Sequence, residues 1–105
     1  MSLRSRAEFQ RVLRDGTRAR SGVLAVALTP GGDDLGRTRV GLAVATGSGS
    51  VVRNRIRRRL KEAARAVSPP GRDLVVRADD RLLALPFQEM VEMLGRAVRR
   101  AEERS

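Results

Sequence analysis

The residues best equipped for chemistry stand next to one another. Arg53-Asn54-Arg55-Ile56-Arg57-Arg58-Arg59-Leu60-Lys61-Glu62, followed by Arg65, puts seven cations and one acid within thirteen residues. A guanidinium is a planar fork of donors that pairs bidentately with phosphate and stacks on bases, so the chemistry on offer is recognition of a polyanion. Bond-making chemistry finds little to work with. The chain has neither Cys nor His, which removes disulfides, Cys or His zinc sites and any nucleophile–His relay. Asp33-Asp34 and Asp79-Asp80 stand in Gly- or Arg-bordered turns, where Asp is expected for its local hydrogen bonds. No catalytic residue and no metal ligand are assigned.

For its charges to act together, the basic segment must be helical. Ser50 can cap a helix from about Val51 to Val67, and Ser68-Pro69-Pro70-Gly71 ends it. Counting about 100° per residue from Val52, the residues Ala63, Ile56, Val67 and Leu60 fall between about 20° and 80°. Arg57, Lys61, Asn54, Arg65 and Arg58 fall between about 140° and 240°, and Arg55 and Arg59 flank at about 300° and 340°. One side is therefore core and the other a basic strip. Like charges at i,i+4, such as Arg57–Lys61 and Lys61–Arg65, repel. A bound anion would neutralise them; a solvated helix face is the plainer alternative.

The elements that must hold this helix can be placed from periodicity and punctuation. Ser5-Arg6-Ala7-Glu8 has capping-box spacing, with Phe9, Val12 and Leu13 on one face, and Gly16 closes a first helix over Arg6–Asp15. Val23–Thr29 reads as a strand before the turn residues Pro30-Gly31-Gly32-Asp33-Asp34, and Arg39–Thr46 reads as its antiparallel hairpin partner. Gly47-Ser48-Gly49-Ser50 is a connector; as a phosphate cradle it would lack the lysine of a P-loop. Arg72–Ala78 contains the buried-strand run Leu74-Val75-Val76. Pro86 suits the start of a last helix whose apolar stripe is Phe87, Met90, Val91, Leu94, Val98 and Ala101. Glu89 and Glu92 lie toward its start, and Arg96, Arg99, Arg100 and Arg104 toward its end, as the macrodipole favours. The fold class is α+β, in the order α-β-β-α-β-α, a single α/β sandwich domain over residues 1–105 with one sheet covered by helices.

The charge is not spread evenly over these elements. The chain of 105 residues carries 22 basic and 12 acidic side chains, for a formal charge of +10. Met1–Gly22 holds six Arg against Glu8 and Asp15, and Val51–Ala66 holds six Arg and Lys61 against Glu62. The remaining two stretches balance, so the whole surplus sits in the first helix region and the central helix. Of the basic residues only Lys61 is lysine; Arg suits RNA contact, although codon bias in a GC-rich genome produces the same ratio. A cytoplasmic RNA-binding protein is the expectation, without a membrane partner or a small-molecule substrate. A basic amphipathic helix could also lie on a membrane, but its apolar face lacks an aromatic anchor.

The stretch Arg53–Glu62 resembles the Arg-Asn-Arg signature helix of the bacterial ribonuclease P protein subunit. The resemblance runs over nearly the whole chain: Phe9-Gln10-Arg11-Val12-Leu13 with Gly16 is similar to the family's opening helix, and Arg39-Val40-Gly41-Leu42-Ala43-Val44 to the strand before its loop. It implies an α/β sandwich with a left-handed βαβ crossover, a departure from the usual hand. It also implies partnership with the catalytic RNA of ribonuclease P and with precursor tRNA, whose 5′ leader the holoenzyme removes. Cleavage would belong to the RNA and its Mg²⁺ ions, with none bound by the protein alone. Arg53, Asn54, Arg55, Arg58 and Arg59 carry over as RNA contacts, joined on the strip by Arg57, Lys61 and Arg65. Phe9 carries over as a residue of the leader cleft, where nucleotides can stack, and Leu13, Leu24 and Ala27 take the other cleft positions. The sequence departs from the family in two places. The loop Ala45-Thr46-Gly47-Ser48-Gly49-Ser50 is shorter and lacks the family's lysines, and Phe9 and Phe87 are the only aromatics in the chain. Docking through the helix is thus expected to be retained and leader stacking weakened. A different RNA-binding protein of ribosomal type is the alternative for such a sandwich.

Overall fold

The structure, a computed structural model, describes residues 6–30, 39–68 and 71–104. The elements run α1 (Arg6–Asp15), β1 (Thr17–Ser21), β2 (Leu24–Pro30), β3 (Arg39–Ala45), α2 (Ser50–Val67), β4 (Arg72–Asp79), a 3-10 turn (Asp80–Ala84) and α3 (Phe87–Arg104). The α+β class and the three helices are those expected. The first strand and the 3-10 turn are additions, so the order is α-β-β-β-α-β-α. Ser5 of the capping box, the turn residues 31–34 and Pro69-Pro70 lie outside the described residues.

Strand pairing corrects the sequence reading. The sheet has the order β1-β2-β4-β3, with β1/β2 and β2/β4 antiparallel and β3/β4 parallel. The strands β2 and β3, expected to form a hairpin, are not paired; β4 lies between them. The reason is burial. Asp73, Leu74, Val75 and Val76 are each at 0% exposure, so β4 needs cover on both faces and hydrogen bonds on both sides, which only an interior position supplies. β3 then reaches β4 through α2, because parallel neighbours require a crossover.

Alternation along the strands divides the interior into two cores. Leu24, Val26 and Leu28 of β2 and Leu74, Val76 and Ala78 of β4 face α2 and α3, against Ile56, Leu60, Ala63, Met90, Leu94, Val98 and Ala101. On the opposite face, Val12 of α1, with Phe9 and Leu13 beside it, packs on Ala27 and Val75. Salt bridges fasten α1 there. Arg39 donates Nε and Nη2 to the two carboxylate oxygens of Asp73 at 2.9 and 2.7 Å. Arg11 of α1 reaches the same carboxylate, and Arg39 Nη1 lies 3.3 Å from Glu8.

β1 is an edge strand, and α3 guards it. Arg104 and Arg100 donate to the backbone carbonyls of Arg18 and Arg20 at 2.8 and 2.6 Å. These arginines therefore occupy an edge that would otherwise invite strand addition, besides serving the macrodipole. Among the described residues no helix is long and apolar enough to cross a membrane.

Candidate nucleic-acid interface

The burial along α2 follows the helix arithmetic. Ile56, Leu60, Ala63 and Ala64 are buried, while Val52 and Val67 are half-buried at the ends of the stripe. On the outward side Arg53, Asn54, Arg55, Arg58 and Lys61 are exposed. None of these five side chains forms a hydrogen bond or ion pair with another described residue. They stand as a row of free donors on a rigid scaffold, with no acid in the first turn to neutralise them.

The other three candidates on this helix are engaged. Arg65 pairs with Glu62 at 3.2 Å, both side chains largely exposed, a contact that water and a competing phosphate can replace. Arg57 leans over the sheet edge, with Nη1 3.4 Å from the Leu42 carbonyl. Arg59 is set apart from the strip. It is half-buried and donates to the carbonyls of Leu82 at 3.2 Å and Leu85 at 2.6 Å, clamping α2 to the 3-10 turn and its exit. Its angle, about 340° from Val52, already put it beside the apolar stripe. Arg59→Ala should therefore cost about 1–3 kcal/mol by stranding the Leu85 carbonyl, that of Leu82 keeping the Leu85 N–H at 3.1 Å, whereas Arg58→Ala should stay within about 0.5 kcal/mol. Thermal melts of the two variants, side by side, check this.

The approach to the helix also differs from expectation in one detail. Ser50 is its first residue, not its cap; Gly49 occupies that position at φ 92°, a left-handed conformation that glycine accepts freely, and no side chain caps the helix. Its carbonyl accepts from Arg53 N–H at 3.1 Å. Ser48 hydrogen-bonds Thr46 Oγ1 through its N–H and Asp80 through its hydroxyl. The Gly-Ser connector is thereby tied to the start of the 3-10 turn that follows β4.

The four residues assigned to a leader cleft do not share a surface. Phe9 and Leu13, both half-buried, flank Val12 on α1, and Ala27 is buried beneath them. Leu24 is on the other face of the sheet, at 0% exposure in the core against α2 and α3. Strand parity explains this correction: residues three apart in a strand point to opposite faces, so Leu24 and Ala27 cannot both line one cleft. Beyond α1 the same sheet face stays open. A cleft of about 370 Å³ lies there, with Arg20, Ala25, Ala43, Arg77 and Asp79 among its lining residues. Sequence reasoning missed it. The available signals were the alternation of Arg18 and Arg20 through Thr17–Ser21, and Arg77 breaking an apolar run.

Carboxylates in this region are committed to structure. Asp79 accepts from the Arg81 side chain at 2.8–3.1 Å and from its backbone N–H at 3.0 Å. These bonds hold the Asp79 carboxyl below its ordinary range, the side-chain bond first, so it stays anionic and paired into mildly acidic solution. Among the described residues no group of three or more acidic side chains could hold a metal ion. The buried carboxylate of Asp73 is already satisfied by two guanidiniums.

Comparison with known proteins finds relatives that span nearly the whole chain. The family model described as "Ribonuclease P" matches residues 1–102. A ribonuclease P protein component from Roseiflexus castenholzii is 38% identical over 103 residues, covering 94% of this chain and 84% of that protein. One from Gluconacetobacter diazotrophicus is 40% identical over 105 residues, covering 94% and 89%. Among solved structures, the RNase P protein of Staphylococcus aureus superposes with a TM-score of 0.77 at 20% identity, covering 95% of this chain and 94% of that one, a likeness of fold.

Proposed function

This chain belongs to the ribonuclease P protein family, and we propose that it docks the RNA of ribonuclease P through the outward face of α2 and presents the α1–sheet face to the 5′ leader of precursor tRNA. Its relatives are named as components of ribonuclease P, which makes the chain the protein subunit of an endoribonuclease and the RNA its partner. One observation carries the docking reading. The inward side of α2 is consumed by core packing, while Arg53, Asn54, Arg55, Arg58 and Lys61 project outward with no partner among the described residues. Cations displayed in this way release counterions when phosphates replace water, and the free energy is collected along the whole strip.

In this reading the bond-breaking step and its Mg²⁺ ions belong to the RNA. This chain has no Cys or His and no acidic cluster among its described residues that could hold a metal, so no proton transfer or metal ligation is assigned to it. Its contribution is binding: neutralising RNA phosphates and holding the single-stranded leader beside them.

Reconstitution tests the proposal. Added to a bacterial ribonuclease P RNA at low Mg²⁺, the chain should raise the rate of precursor-tRNA cleavage. An unchanged rate would remove the functional reading.

A further inference from the structure

We infer that the open half of the sheet face grips the leader by its sugar–phosphate backbone through Arg20 and Arg77, leaving the bases unread. The inference rests on the leader-binding reading above and goes further, by naming the contacts and the selectivity they produce.

Strand register puts the two arginines in line. Arg20 pairs with Ala25, Ala25 with Arg77, and Arg77 with Ala43, one row across all four strands. Directly paired residues share a face, so all four side chains project into the same cleft. Adjacent strands lie about 4.8 Å apart, which separates the two arginine backbones by about 10 Å. The residues between and beside them are alanines, which leave the guanidiniums room to swing. The next row toward α1, Ala27 and Val75, is closed over by Val12. The row on the other side contains Asp79, which is held by Arg81.

Arg77 is the unusual member. It is exposed in the interior strand β4, where Val75, Val76 and Ala78 around it are buried. Neither its guanidinium nor that of Arg20 has a hydrogen-bond or ion-pair partner among the described residues, and the nearest acid along β4, Asp79, is taken. Two free cations on an alanine floor make an anion site. They do not make a stacking platform, because no aromatic residue lines the cleft and base stacking on protein depends chiefly on aromatic faces. Phosphates are common to every leader sequence, so this cleft should sense that a leader is present and charged, not which bases it carries.

The experiment uses the reconstituted holoenzyme and four substrates: precursor tRNA with an ordinary leader, with an abasic leader, with a methylphosphonate leader that carries no charge, and mature tRNA. The abasic leader should keep the affinity advantage over mature tRNA to within about twofold, while the methylphosphonate leader should lose most of it, roughly tenfold. Arg77→Ala should weaken binding of the charged leaders by roughly five- to tenfold and leave the methylphosphonate substrate and mature tRNA unchanged. Arg77→Lys, which keeps the charge, should recover most of the loss. Loss of the advantage with the abasic leader and its retention with the methylphosphonate leader would overturn the inference. So would a leader advantage indifferent to Arg20→Ala and Arg77→Ala together. In both cases a chain that still accelerates the RNA keeps the docking reading intact, whereas failure to accelerate removes both.

Discussion

Asp73→Ala should lower the unfolding free energy by about 3–5 kcal/mol, because it strands buried charge that the fold has already paid to desolvate. The Asp73 side chain is at 0% exposure and the Arg39 side chain at 17%. Their two-bonded contact is the geometry in which arginine and carboxylate bind most strongly. Without the carboxylate, Arg39 loses both of these bonds while keeping its contact with Glu8, and Arg11 of α1 loses its link to β4. For a domain of ordinary stability this loss approaches the whole margin. Glu62→Ala provides the contrast: it breaks an exposed pair and should change stability by less than about 0.5 kcal/mol. Urea unfolding followed by far-UV circular dichroism checks both. A loss below about 1 kcal/mol for Asp73→Ala would show that apolar contacts alone hold α1 on the sheet.

That network was not legible in the sequence, and the reason is physical. Asp73 stands 62 residues from Arg11 and 34 from Arg39, and no local pattern joins an aspartate at the head of an apolar strand to distant arginines. β1 was missed for a similar reason. Thr17-Arg18-Ala19-Arg20-Ser21 has little intrinsic strand preference; its structure comes from pairing with β2 and from arginines of α3 some 80 residues later. The expected hairpin failed because neighbours in sequence are usually neighbours in a sheet, while here the more deeply buried β4 takes the central place. Local periodicity, in contrast, carried real information. The bounds of α1, the buried stripe of α2 and most of that of α3 follow from spacing, since one apolar face per helix is enough to specify them; Phe87, expected on the α3 stripe, stands in the first turn and is 45% exposed. Two errors could have been avoided with the same arithmetic. Leu24 and Ala27 are three apart in a strand and cannot share a face, and the angle of Arg59 already placed it at the core margin.

The helix on which function rests should tolerate a large loss of charge without unfolding. In the triple variant Arg55→Ala, Arg58→Ala and Lys61→Ala, no described hydrogen bond or ion pair is broken and no buried group is uncovered. Alanine is also a stronger helix former than the residues it replaces, and relief of like-charge repulsion along α2 adds a little stability. The melting temperature should therefore hold or rise slightly. Affinity for ribonuclease P RNA should fall roughly a hundredfold or more near ~0.1 M salt, since each charge-assisted contact contributes about 1.5–3 kcal/mol. A variant that keeps its fold and loses its RNA separates binding from stability, which single replacements near the core cannot do. Arg59, by its clamp on Leu82 and Leu85, belongs with the structural residues and is left unchanged in this design.

The most direct measurement of the central claim is the salt dependence of that binding. Titrations of ribonuclease P RNA with the wild-type chain and with the triple variant, over a range of monovalent salt, give the slope of log affinity against log salt for each. If the outward face of α2 lies on RNA phosphates, the wild-type slope is steeply negative and that of the triple variant is shallower by about 2 to 3, near one unit for each contact removed. Equal slopes and equal affinities for the two proteins would mean that these side chains face solvent in the complex, and that the RNA binds elsewhere on the molecule.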